Sequence, residues 1–347
     1  MRINRSVSLT ALSILFVFLF VLNAGHSAWA AAKYNWKFAH EELQGGFMDE
    51  VAREFANRLA QKSGGDINIE IYPSGTLGTS EDLVELVQNG AIQFNWADAG
   101  HLGSQVTEVQ ALLLHYLFPQ DIKVVEKVMQ TGSFRQILDP RFREKNLEPL
   151  AYFSEGWQVW TSNKPLQTPE DFNGFKMRTM TSRLIVDNYK AYGANPTPTP
   201  FAEVYSALQL NMVDGQVNPP FVIYDMKFYE VQDYLNYGYS NPFILTLITS
   251  HEFYNSLPAD IQQLISETAA ELIPFGFKWE QEFNQRQLDA MLKDKPSLQV
   301  INLTQEQIDR FAKLAKPVRN VYYEMAPDYG PKLVEALEKD IRNASGK

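Results

Sequence analysis

Strand-like and helix-like patterns alternate from Tyr34 to Ala97 with only short connections, and this alternation restricts the chain to few architectures. Tyr34 to Ala39 reads as a short strand. Met48 to Lys62 follows as an amphipathic helix, with Val51, Phe55 and Leu59 at helical spacing and Glu50, Arg53 and Glu54 on other faces. Ser63-Gly64-Gly65-Asp66 stops it, glycine being the usual helix terminator. Asn68 to Tyr72 alternates as a strand and Pro73-Ser74-Gly75 turns. Glu81 to Asn89 is a helix closed by Gly90, and Ile92 to Ala97 is the next strand. Strands joined through helices pair in parallel, so the class is α/β with a mainly parallel sheet.

A second unit begins near Leu150. Leu150 to Thr161 is extended, Thr168-Pro169-Glu170-Asp171 starts a helix with proline in its first turn, and Phe175 to Thr179 is a strand. Ser182 to Tyr192 and Phe201 to Leu210 read as helices, and Val213 to Val217 returns as a strand. The last third reads as helices over Pro258 to Ile273, Phe275 to Leu292, Thr304 to Tyr323 and Pro331 to Asn343. Two α/β units followed by helices predict two lobes with a cleft between them. Within the extended segment, alternation sends Trp157 and Val159 to one face and Gln158 and Trp160 to the other. One face therefore pairs an aromatic with an amide, which fits either a polar strand position or the wall of a wet cavity.

The first thirty residues read as a secretory signal. Arg2 and Arg5 precede an almost unbroken apolar run from Leu9 to Leu22, and Ala28-Trp29-Ala30 offers small residues where a signal peptidase reads. The run is shorter than the ~20 residues of a spanning helix. Cleavage of residues 1–30 leaves a mature chain from Ala31. It removes two of the 31 basic residues and none of the 41 acidic ones, so the formal charge falls from −10 to −12. That balance argues against nucleic acid or an anionic membrane as partner, and an anionic ligand has to be held by local groups. With no cysteine there is no disulfide and no covalent lipid anchor, and the fold rests on its core.

Motifs for catalysis are missing. There is no Gly-x-Ser-x-Gly elbow, no cysteine nucleophile and no phosphate loop. His26, His40, His101, His115 and His251 lack metal-ligand spacing. The carboxylates are scattered over predicted helix surfaces. An exported binding protein without cofactor or metal is the expectation. A secreted enzyme assembled from dispersed residues is the alternative class.

Four segments, "EIYPSGTLGTSEDLVELVQNGAI", "NKPLQTPEDFNGFKMRTMTS", "GANPTPTPFAEVYSALQLNMVDGQVNPP" and "KFYEVQDYL", are similar, in this order, to the solute-binding proteins of TRAP transporters, the DctP family. The likeness runs from about Trp36 to the C-terminal helices. Its most specific part is Gly174-Phe175-Lys176-Met177-Arg178, followed about forty residues on by Val213-Asp214-Gly215-Gln216-Val217-Asn218-Pro219. The resemblance implies a two-lobed type II periplasmic-binding-protein fold with two crossover strands and a long helix spanning both lobes, matched by Phe275 to Leu292. Lobe I would hold residues 31–155 plus about 243–283, and lobe II 156–242 plus about 284–347. The ligand would lie between lobes that close by hinge motion. The closed form would deliver it, as a monomer in the periplasm of a Gram-negative bacterium, to small and large membrane permease subunits driven by an ion gradient.

The resemblance also places the ligand-binding residues. Arg178 is the family's central ligand group, and a planar guanidinium at a strand end can make two parallel hydrogen bonds to a carboxylate or a sulfonate. Asn218 corresponds to a ligand-binding asparagine, although Val217 stands where glutamate is commoner. Glu41 after the first strand, Asp98 and His101 after the third, Phe201, Thr181 and its neighbour Ser182, and Tyr237 with Tyr239 near the second crossover complete the candidates. Gln158 stands where many members carry a second arginine. A dianion clamped by two arginines is therefore disfavoured. The expected ligand is a small monoanion with a polar tail: a hydroxy or keto acid, a sulfonate such as isethionate, or an aromatic acid stacked on Trp157, Trp160 or Trp96. The C4-dicarboxylate alternative requires His101 or another cation to compensate.

Overall fold

The computed structural model describes residues 32–346, and the expected signal peptide lies outside them. Eleven strands occur among the described residues: β1 (Tyr34–Ala39), β2 (Ile67–Tyr72), β3 (Phe94–Asp98), β4 (Leu147–Trp157), β5 (Val159–Ser162), β6 (Lys176–Thr179), β7 (Asn195–Pro198), β8 (Val217–Asn218), β9 (Tyr234–Tyr237), β10 (Pro242–Ser250) and β11 (Gln299–Asn302). The first sheet has the order β2-β1-β3-β10-β4. Its first three strands are parallel, as the opening alternation predicts, while β10 runs antiparallel to both β3 and β4. Every residue of β10 is buried. Its near-continuous apolar sequence, PFILTLITS, is what a strand covered on both faces requires.

The second lobe is built on β11-β9-β5-β8 and on the parallel pair β6-β7. A parallel bridge from Met177 to Gly215, two residues before β8, brings these two sheets together. The lobes are joined where two chain segments change sheets side by side. β4 and β5 form one extended run broken at Gln158, and residues 238–241 separate β9 from β10. Pro242 pairs with Trp157 in the first sheet and Asn236 with Trp160 in the second. Gly238 is confined by packing, because a Cβ there would lie 2.3 Å from the Trp160 ring.

One helix links the lobes. Ala259–Asp294 is a single 36-residue helix, about 54 Å long at 1.5 Å per residue. The pattern predicts separate helices over Pro258 to Ile273 and Phe275 to Leu292, and Pro274 between them lacks a backbone donor. The helix continues through Pro274 because Ile273, Gly276 and Phe277 are buried on the core side. The segment read as one helix over Thr304 to Tyr323 is instead two, Gln305–Ala315 and Val318–Met325, separated at Pro317. Both have packing contacts with the Arg183–Ala191 helix of the second lobe. The last helix, Gly330–Ala344, departs from the expected division of the chain. It packs beside the Ile122–Thr131 helix, and Asp340 accepts from Ser133 Oγ at 2.8 Å and from the Phe134 amide at 2.9 Å. No described helix is long and apolar enough to cross a membrane.

Candidate functional site

The second lobe contributes the arginine. Arg178 is the third residue of β6, and its amide donates to Gly215 O at 2.8 Å. Its side chain is 3% exposed, with Nε and Nη2 donating to Thr199 O at 3.0 and 2.8 Å. Those bonds aim the fork, and the remaining guanidinium donors stay available to a ligand. Burial pushes the guanidinium down to about 10, against the pull of Glu41, Asp98 and Glu81, so it is charged at neutral pH. Asn218 lies on β8 beside Val159. Its Nδ2 donates to Gln216 Oε1 at 2.5 Å, and its carbonyl oxygen has no hydrogen-bond partner among the described residues. An amide oxygen lining the cavity can accept from a ligand that donates.

The first lobe contributes acids. β1 ends at Ala39 and is followed by His40, Glu41 and Glu42. Glu42 Oε2 accepts from the Met48 amide at 2.8 Å, in the first turn of the Phe47–Lys62 helix. Its Oε1 has no partner among the described residues, and neither has Oε1 of Glu155 near the end of β4. Burial raises Glu42 to about 8. Burial together with the adjacent Glu42 raises Glu155 well above the usual carboxylate range. Each acid is therefore biased toward its protonated form, a bias that a bound cation would oppose.

Glu41 accepts from Ser80 Oγ and lies 3.5 Å from His101 Nδ1. Burial raises it to about 7. His101 is hydrogen-bonded to Asp98, whose other oxygen caps the Gly100 amide at 2.7 Å. Burial opposes charge on His101, but Asp98 and Glu41 outweigh it and raise the imidazole to about 10. Donor atoms of Glu41, Asp98 and His101 lie within 4.8 Å of one another. The contacts of His101 with Asp98 and Glu41 make this group an ion pair beside the cleft.

One cavity gathers both sets. It is lined by Glu41, Glu42, His101, Glu155, Arg178 and Asn218, with Met48, Met180, Phe201, Val222 and Phe243 as its apolar walls. An adjoining depression, which shares Glu41, His101, Arg178 and Phe201, includes Thr181. The lobes touch beside it, where Ser182 Oγ donates to Gln110 Oε1 at 2.8 Å. Of the sequence candidates, Arg178, Asn218, Glu41, His101 and Phe201 converge here, and Asp98 lies beneath His101.

Trp157 and Tyr237 lie elsewhere, on a second depression formed with the long helix. Gln158 lines neither. It is 3% exposed at the break between β4 and β5, its amide donates to Asn241 O at 3.3 Å, and its Oε1 has no partner among the described residues. Trp160 packs on Phe172 and Phe311, and Trp96 on Phe153, so both belong to the core. Glu42, Glu155, Met180 and Phe243 were not anticipated. The available signal was Glu155 itself, an acid inside a run that is otherwise fit for burial.

The family model for bacterial extracellular solute-binding proteins, family 7 (DctP), matches residues 38–325. This chain belongs to the DctP family. Among DctP-family relatives, the ectoine/5-hydroxyectoine-binding periplasmic protein UehA of Ruegeria pomeroyi is 34% identical over 95% of this chain and 98% of its own. The C4-dicarboxylate-binding periplasmic protein DctP of Rhodobacter capsulatus is 31% identical over 87% of this chain and 89% of its own. The crystal structure of the periplasmic ectoine-binding protein from the TeaABC TRAP transporter of Halomonas elongata superposes with a TM-score of 0.86. It is 32% identical and covers 89% of this chain and 99% of its own. These DctP-family likenesses agree with the two-lobed α/β fold described above.

Proposed function

We propose that this chain is the periplasmic receptor of a TRAP transporter and that its ligand is a compact zwitterion, with a carboxylate at one end and a delocalised cation of the amidinium kind at the other, as in ectoine. The observation that supports this reading is the pairing, in one cavity, of Arg178 with two buried acids, Glu42 and Glu155, each with an oxygen that lacks a donor. Arg178 takes the carboxylate. The cation draws these acids toward their ionised forms, with proton release, and donates to them and to the Asn218 carbonyl. Phe201, Met180 and Phe243 supply apolar walls for its ring.

This ligand class revises the simple monoanion expected from sequence. A hydroxy acid, keto acid or isethionate occupies only the Arg178 end and leaves the acids unanswered. A C4-dicarboxylate finds one arginine, Arg178, for its two charges, and the nearest further cation, His101, is already engaged by Asp98. The ectoine-binding relatives support the zwitterion. As a receptor, the chain closes on its ligand and hands it to the small and large membrane subunits for uptake driven by an ion gradient.

Titration calorimetry of the chain from Ala31 with ectoine, hydroxyectoine, succinate, lactate and isethionate tests this. Micromolar or tighter affinity, ~8 kcal/mol or more, is expected for the zwitterions. Binding of succinate or isethionate with no response to ectoine overturns the ligand class. Turnover of any of them overturns the receptor.

A further inference from the structure

A second depression at the hinge shares no residue with the Arg178 cavity. Trp157 at the end of β4, Tyr237 in β9 and Tyr239 beyond it form an aromatic group. Trp157 meets Tyr239 edge-on at 5.7 Å, and Tyr237 lies 6.0 Å from Tyr239. Glu280 of the long helix completes the wall. It is 5% exposed, its Oε1 accepts from Asn284 Nδ2 at 2.8 Å, and its Oε2 has no partner among the described residues. The other lining residues are Ile122, Pro220, Gln281, Asn284, Gln285 and Leu288, so the lining holds no lysine, arginine or histidine. Burial accordingly raises Glu280 to about 7.

The place matters as much as the chemistry. Asn284 Nδ2 donates to Glu155 O at 2.8 Å, and its Oδ1 accepts from the Phe221 amide at 3.1 Å. It thereby fastens β4 of the first lobe to the segment just after Asn218 in the second. Gly156 has φ +102°, and a Cβ there would lie 2.3 Å from Glu280 Oε1, so Glu280 rests directly on the crossover strand.

We propose that this depression is a site for a compact organic cation, an ammonium or guanidinium, held by Glu280 among Trp157, Tyr237 and Tyr239, and that its occupancy is linked to closure of the cleft. A cation over aromatic faces with a desolvated carboxylate behind it is an established recognition mode. The walls come from both crossover segments and the helix that spans the lobes, so a ligand there distinguishes one hinge arrangement from another. Linkage then requires it to alter affinity in the cleft.

The test uses the whole mature chain at pH 8, above the raised Glu280 value of about 7, with methylguanidinium and methylammonium as probes. The Trp157 indole N–H resonance, assigned with Trp157→Phe, is the reporter, since that N–H has no partner among the described residues. A saturable shift at millimolar probe, kept in Arg178→Ala and lost in Glu280→Gln, is expected. Glu280→Gln keeps the shape and the Asn284 bond, and an unchanged melting temperature verifies its fold. No saturable shift, or the same shift in Glu280→Gln, overturns the site. Saturating probe should also change the affinity of the cleft ligand by about fivefold or more. Unchanged affinity overturns the linkage. Failure of ectoine to bind the cleft leaves the indole readout intact, so the two proposals fail separately.

Discussion

The two walls of the cleft carry opposite chemistry. The first-lobe wall presents Glu41, Glu42 and Glu155, with His101 already committed to Asp98, whereas the second-lobe wall presents Arg178 and the Asn218 amide. The acidic wall is also the more strained electrostatically, because burial lifts Glu42 to about 8 and Glu41 to about 7, while Arg178 falls only to about 10 and stays charged. The difference between them is the ground of the proposed ligand class, with negative charge toward the second lobe and positive charge toward the first.

The comparison breaks most sharply at Arg178. Arg178→Ala removes the sole arginine of the cavity and should lower the affinity for any carboxylate ligand by about thirtyfold or more, since truncating one side of a buried charge pair costs about 2–5 kcal/mol. Calorimetry checks this, and circular dichroism should show the fold unchanged. Affinity within tenfold of the parent would remove Arg178 from the binding site.

Glu42→Gln tests the other wall and should act selectively. Zwitterion affinity should fall by about ten- to a hundredfold, the worth of one charge-assisted contact. Simple carboxylates, which make no contact that needs an ionised Glu42, should bind equally well. A parallel loss for both ligand kinds would show that Glu42 shapes the cavity without reading charge.

The acidic wall also predicts a pH dependence of defined sign. A ligand cation needs the ionised acid, and Glu42 in the free protein is raised to about 8. Zwitterion affinity should therefore rise with pH by up to about tenfold per unit below pH 8, with release of about one proton, and level off above it. The ligand-free protein should show the opposite trend. A carboxyl at 4.5 when unfolded and about 8 when folded keeps its proton longer in the native state, so its contribution erodes as pH rises through that window. Calorimetry in buffers of different ionisation enthalpy measures the proton, and thermal melts measure the stability.

The two walls were not equally legible in the sequence. Arg178 and Asn218 stand inside a spaced motif, and β6 and β8 place them side by side through the Gly215 contact. The acidic wall is assembled from three separate pieces of chain: the segment after β1, the end of β3 with the short helix that follows it, and the end of β4. Glu41, Asp98 and His101 could be found because they follow recognisable strands. Glu42 and Glu155 could not, since a carboxylate beside a strand end reads as solvated until the long helix and β10 are seen to cover it. The parallel core of the first sheet was readable from period and glycine. The crossover was not, because alternation gives a side chain's face and not the point at which a strand changes sheets.

Gln158 offers the mildest and most discriminating test of that crossover. From sequence it stands where a second ligand-binding arginine often lies, yet the fold puts it at the break between β4 and β5, with its amide bonded to Asn241 O. Its Oε1 is buried without a partner among the described residues, so the side-chain carbonyl is a burden on the native state. Gln158→Leu keeps the backbone bond and removes that oxygen. It should leave zwitterion affinity within about threefold and raise stability by roughly 1 kcal/mol, the penalty of an unsatisfied buried acceptor. A larger loss of affinity with no gain in stability would mean that the amide turns toward the ligand on closure, and that the acidic wall has a polar neighbour at the hinge.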